Sequence, residues 1–223
     1  MALSIIDQDV RGSVTRLIAA LGYAPTHAQV AASLGITVAE VEAALDRLHA
    51  THSLLLHPHQ RRVWVAHPFA LSAGSCWVQT AGHGYWANCL YCALGIAAAT
   101  ERDAVITTRL GGEGDTVHLA VKSGQIIAGG ELLFHLSTPA AHWWDNVIAA
   151  CASFQPFRNE AEVIDWCARH AMPRGHVMTI PQLWAFASDW YGSYINQPWR
   201  KRSREEIRTL FARHALPEPF WRV

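Results

Sequence analysis

Residues 8 to 67 are punctuated so closely that few arrangements remain open to them. Val10, Val14, Leu17, Ile18 and Leu21 recur at helical spacing, and Gly22 stops the run. Thr26 is placed to cap a second helix carrying Val30, Ala31 and Leu34, with Gly35 as its turn. Thr37 caps a third, Glu40 completes its capping box three residues later, and Val41, Ala44, Leu45 and Leu48 form its apolar stripe. Ser53 to His57, a turn at Pro58-His59-Gln60 and Arg62 to Ala66 then read as a hairpin. Three helices and a hairpin make a winged-helix-like pattern.

Charge argues against nucleic acid as the partner of that pattern. Residues 1–66 carry five bases (Arg11, Arg16, Arg47, Arg61, Arg62) and five acids (Asp7, Asp9, Glu40, Glu42, Asp46). The third helix opens with Glu40 and Glu42, where a DNA reader needs to meet phosphates. Over the whole chain 18 Lys and Arg balance 18 Asp and Glu, which draws in no polyanion. No apolar run approaches the roughly 20 residues that span a bilayer. The first residues, with acids at Asp7 and Asp9 and no basic segment, do not resemble a secretory signal, so a reducing, cytoplasmic setting is expected.

His67-Pro68-Phe69 and the small residues from Ala70 to Ser75 read as a linker, dividing residues 1–67 from a second unit over 68–223. That unit mixes classes. Cys76 to Thr80, Ala104 to Thr108, Thr116 to Val121 and Leu132 to Leu136 read as short strands. Helices are expected over Trp86 to Ala99, Ala141 to Ala149, Asn159 to His170, Ile180 to Tyr191 and Ser203 to His214. The expected class is therefore α+β, a three-helix winged-helix-like unit followed by a mixed core with short strands and C-terminal helices.

Of five cysteines, Cys89 and Cys92 stand at CxxC spacing, and Cys151 ends the run that begins at Trp143. Thiolates are the softest ligands and strongest nucleophiles a side chain offers, so the pair points to soft-metal or thiol chemistry. On one helical turn the two side chains face the same way. A helix beginning near Asn88 would lower their pKa through its dipole. No second CxxC or HxxxH supplies the remaining ligands of a structural zinc site, and the 13 histidines show no ligand spacing. Cys76 in a strand and Cys167 beside Trp166 read as core. Asp145 reads as an acid at a helix end. The bases of Trp199-Arg200-Lys201-Arg202 read as solvated residues ahead of a helix whose capping box is Ser203 and Glu206.

Tyr85-Trp86-Ala87-Asn88-Cys89 through Leu94-Gly95-Ile96, Trp143-Trp144-Asp145 to Cys151, and Phe157-Arg158-Asn159-Glu160 with Trp166 together resemble the alkylmercury lyase family. The likeness continues through Trp184, Trp190-Tyr191, Trp199-Arg200 and Phe220-Trp221, so it covers nearly the whole chain. A winged-helix segment ahead of the catalytic core belongs to that family as well. The resemblance implies a site of two cysteines, matched by Cys89 and Cys151, and an aspartate three residues after the first. Cys92 stands at the aspartate's position.

What the resemblance implies is protonolysis of a carbon–mercury bond. The partners are an organomercurial or a soft metal ion, with cellular thiols or a mercuric reductase as acceptors of Hg2+. No cofactor is required. Cys89, Cys92 and Cys151 are the expected catalytic and metal-holding residues. Cys92 holds a transferable proton but also adds a third soft sulfur, so slow turnover or metal trapping is expected. Two alternatives are a non-enzymatic carrier of Hg2+ or Cu+ on the same scaffold, and a winged-helix metal-responsive regulator.

Overall fold

Helix α1 (Ile5–Leu21) starts five residues ahead of its apolar stripe, because Ser4 and Asp7 form a capping box of their own. The computed structural model describes residues 2–223. Gly22 closes α1 in the left-handed conformation, and Gly35 does the same for α2 (His27–Leu34). Helix α3 (Val38–Ala50) carries the Thr37–Glu40 box. Its buried Val41, Ala44, Leu45 and Leu48 are the expected stripe.

Asp7 binds α1 to α3 through Arg47, with contacts of 2.9 Å to Nε and 2.7 Å to an Nη. Burial alone would raise its pKa, but hydrogen bonds from Arg47 and Ser4 outweigh burial and hold it below the ordinary value. The unfolded chain therefore takes up the proton first. The carboxylate's contribution is complete above pH 3.8 and is lost as pH falls through the lower folded value. Asp7→Ala is expected to cost about 2–3 kcal/mol in urea unfolding at neutral pH. Its deficit against the unaltered chain should shrink in acid.

The main sheet is antiparallel, ordered β1-β2-β3-β5-β4-β6-β7-β8. Its strands are β1 (Leu55–Leu56), β2 (Val63–Ala66), β3 (Phe69–Ala70), β4 (Cys76–Thr80), β5 (Gly84–Ala87), β6 (Ala104–Arg109), β7 (Thr116–Lys122) and β8 (Gln125–Ala128). Strand β3 occupies the expected linker. Val65 pairs with Ala70 and Ala66 with Phe69, so the hairpin after α3 is hydrogen-bonded into the sheet of the following unit. Small residues at 70–75 look like a tether in sequence, but here they let two sheet segments meet. Alternation sets the faces: Cys76, Val78 and Thr80 of β4 point inward, as do Ala104, Ile106 and Thr108 of β6.

Trp86 lies on β5 and not on the helix after it, which is α4 (Leu90–Thr100). Every residue of α4 from Leu90 to Ala99 is buried, because a helix that is apolar all round has no face to offer water. It crosses the sheet's inner face and packs against α7 (Ile180–Tyr191).

Along the chain before α7 come α5 (Val147–Ala152), α6 (Glu160–His170) and a second sheet, ordered β10-β9-β11, of β9 (Leu133–Leu136), β10 (Gln155–Phe157) and β11 (His176–Thr179). The expected helix over Ala141 to Ala149 is split. A 3-10 turn covers Ala140–His142, and α5 begins only after Asn146 caps it by accepting from the Ala149 amide. Strands β8, β10 and β11, which lack a clear alternating run, were not expected. Helix α8 (Arg204–Arg213) follows the Ser203–Glu206 box.

Candidate metal centre

Cys89 is the N-cap of α4, extended at φ −154° and ψ 173°, and Cys92 is the third residue of its first turn. In an ordinary capping box these two positions hold Ser or Thr and Glu, whose side chains turn toward each other's backbone. With cysteine at both, the same local geometry brings two sulfurs together, and Cys89 Sγ donates to Cys92 Sγ at 3.7 Å. Cys151, near the end of α5, brings its Sγ within 4.8 Å of Cys92 Sγ. The three thiols named from the sequence therefore converge. All five cysteines are free.

The expected lowering of thiol pKa does not occur. Burial raises Cys89 well above the ordinary thiol value, and sulfur neighbours do the same to Cys92 and Cys151. Cys89 and Cys92 are 0% and 1% exposed, and a helix terminus cannot offset so complete a loss of water. These shifts favour the thiol over the thiolate form of each sulfur. A soft cation must displace the thiol protons as it binds.

A cavity of about 190 Å³ opens onto Cys92 and Cys151. Cys89 lies behind them and does not line it. The walls are aromatic, with Trp143, Trp144, Trp190, Tyr191, Tyr194 and Trp199 among them. Four of the ten tryptophans thus surround one space, while Trp166 and Trp221 are core. Among the described residues, no aspartate or glutamate side chain lines the cavity. Asp145 is paired with His142 at 2.8 Å on the surface, away from the sulfurs' cavity. Cys76 and Cys167 also stand apart from it, each buried, Cys76 on β4 and Cys167 on α6.

Two residues that the sequence did not single out face the same space. Arg11 on α1 is 1% exposed. It donates from Nε to the Ser53 carbonyl at 2.8 Å, from Nη2 to the His67 carbonyl at 2.7 Å, and from Nη1 to Thr15 Oγ1. Burial pulls its pKa down to about 10, and the guanidinium lies 5.2 Å from the Trp199 ring centre. His67, at the end of β2, has an Nε2 that is closed off from solvent and has no hydrogen-bond partner. Burial, assisted by the Arg11 charge, lowers its pKa to about 3, so it is a neutral imidazole. Arg11 was legible in principle: with Thr15 and Ile18 it lies along the buried side of α1. His67 had no local signal.

The bases after Trp199 are not simply solvated. Lys201 donates to the Thr51 carbonyl, and Arg202 lies over the rings of Trp190 and Tyr194 at 5.1 and 5.6 Å. Both line the cavity, whereas Arg200 also pairs outward with Glu206. Aromatic walls, the one buried cation Arg11 and two soft sulfurs suit a small apolar molecule bearing a soft electrophile.

No curated protein matches the chain in sequence. The solved structure of the mercury-bound form of MerB2 shares its fold at a TM-score of 0.66 and 15% identity, over 85% of this chain and 98% of that one. The family model for alkylmercury lyase matches residues 69–192, a span that holds Cys89, Cys92 and Cys151 and most of the aromatic wall. On that match, which takes in more than half of the sequence, the chain belongs to the alkylmercury lyase family.

Proposed function

We propose that this protein cleaves a carbon–mercury bond by protonolysis and holds the released Hg2+ between cysteine thiolates. The observation that carries this reading is the gathering of three buried cysteine sulfurs at an aromatic cavity in a chain of this family. An organomercurial thiolate, R–Hg–SR′, enters along the aromatic wall. One cysteine thiol replaces R′S, and its proton leaves on R′SH. A second thiol then binds mercury as thiolate while its proton reaches the carbon, giving RH and a bis-thiolate Hg2+. Two thiols supply both protons, so the balance does not require an aspartate. An aspartate would only relay a proton that Cys92 can relay itself.

Cys92 and Cys151 are the sulfurs that an entering mercury meets first, and Cys89 completes the set from behind. Exchange with two external thiols empties the site. A third sulfur slows that exchange, because three soft donors hold Hg2+ more tightly than two. Cleavage is therefore expected within one turnover, with release as the slow step.

The test is hydrocarbon release from a phenylmercury compound in excess thiol. A burst of about one equivalent followed by a slower steady rate is expected. Cys92→Asp should raise the steady rate more than the burst. Absence of any hydrocarbon, with stoichiometric Hg2+ still bound and protons still released, would instead identify a non-enzymatic carrier.

A further inference from the structure

We propose that His67, Cys92 and Cys151 form a second metal position, a Cys2His site for a borderline divalent cation of the Zn2+ or Co2+ type, on the cavity side of the thiol cluster. A ring nitrogen of His67 and the two sulfurs all lie within 4.8 Å of one another. The His67 Nε2 is buried with no hydrogen-bond partner, which is costly for a polar atom unless something binds it. Cys89 is not a member of this set. The two triads share Cys92 and Cys151 and differ in the third donor.

That difference sets metal preference. Hg2+ is satisfied by two or three sulfurs and gains little from an imidazole, whereas Zn2+ and Co2+ accept nitrogen and sulfur together. Around a tetrahedral ion, with bonds of about 2.3 Å to sulfur and about 2.0 Å to nitrogen, donors stand roughly 3.5–3.8 Å apart. Small side-chain rotations close the present spacing to that range. Three protein donors leave a fourth position open to the cavity, the arrangement of reactive rather than structural zinc sites.

Charge also fits. Binding releases one proton from each of the two thiols, and two thiolates neutralise the divalent ion. The complex then adds no net charge beside the buried Arg11 cation, and nothing is oxidised or reduced. His67 comes from the end of β2, so this position joins the N-terminal hairpin to the core, which the CxxC pair alone does not do.

Co2+ added to the reduced, full-length chain reads the site directly through thiolate-to-cobalt charge transfer and tetrahedral ligand-field bands. One equivalent should bind. Cys92→Ser and Cys151→Ser should abolish the bands, and Cys89→Ser should keep them. His67→Gln, which retains the backbone carbonyl used by Arg11, should weaken binding by about tenfold or more. In the unaltered chain with 15N-labelled histidine, Cd2+ should shift a single imidazole, which checks the ligand without any substitution. No cobalt bands in the unaltered chain, or bands lost in Cys89→Ser but kept in His67→Gln with no imidazole shift, would overturn the site. Neither result bears on hydrocarbon release, so the carbon–mercury reading stands or falls separately.

Discussion

Cys151→Ser is expected to lower the burst of hydrocarbon release by about a thousandfold or more, equivalent to about 4 kcal/mol of lost transition-state stabilisation. A hydroxyl is a hard, weakly acidic donor. It neither holds mercury nor gives up its proton as the carbon–mercury bond breaks. The substitution is nearly isosteric, and Cys151 sits at the end of a short helix, so folding should survive with a cost of about 1–2 kcal/mol for the buried hydroxyl. Cys167→Ser is the matched control. Its sulfur lies 3.6 Å from His135 Nε2 in a separate small cluster, so the burst should be unchanged. Equal bursts from Cys151→Ser and the unaltered chain would remove Cys151 from the chemistry and leave Cys89 and Cys92 to account for it.

Gly95→Ala should destabilise the fold by about 2–3 kcal/mol, although alanine is the better helix former by about 1 kcal/mol. A Cβ at this position would stand 2.3 Å from Cδ2 and 2.8 Å from Cε2 of Tyr191. The ring cannot step aside. It is 4% exposed and held between Tyr91 and Tyr194, each 5.2 Å away between ring centres. Helices α4 and α7 would have to separate, which moves Cys92 on one and the cavity wall on the other. Thermal unfolding measures the first effect, and the Hg2+ exchange rate with external thiol measures the second. A variant as stable as the unaltered chain would show that the two helices are less closely packed than this contact requires.

Much of the local structure was legible because its causes are local. Thr26, Thr37 and Ser203 cap the helices expected of them, and Gly22 and Gly35 end theirs, since each signal acts within four residues. The Cys89–Cys92 contact is of the same kind: N-cap and third-residue side chains meet wherever a helix begins at Leu90. Expectations failed where propensity and context compete. Trp86 extends an Ala-rich helical run in sequence, yet it pairs with Trp77 and Ala70 across strands. Phe69 and Ala70 read as part of a tether but pair as a strand, because the backbone groups of β2 lie within reach of theirs.

The sequence alone singled out three cysteines and placed two of them at one helical start. It could not determine the chemical state of those sulfurs. Burial raises the pKa of Cys89, and neighbouring sulfurs raise those of Cys92 and Cys151; both effects come from packing and outweigh the helix-terminal field inferred from spacing. Nor could it place Arg11 and His67 beside them. These residues lie 78 and 22 positions before Cys89, and the pairing of β2 with β3 helps carry the N-terminal segment onto the core sheet and to the cavity.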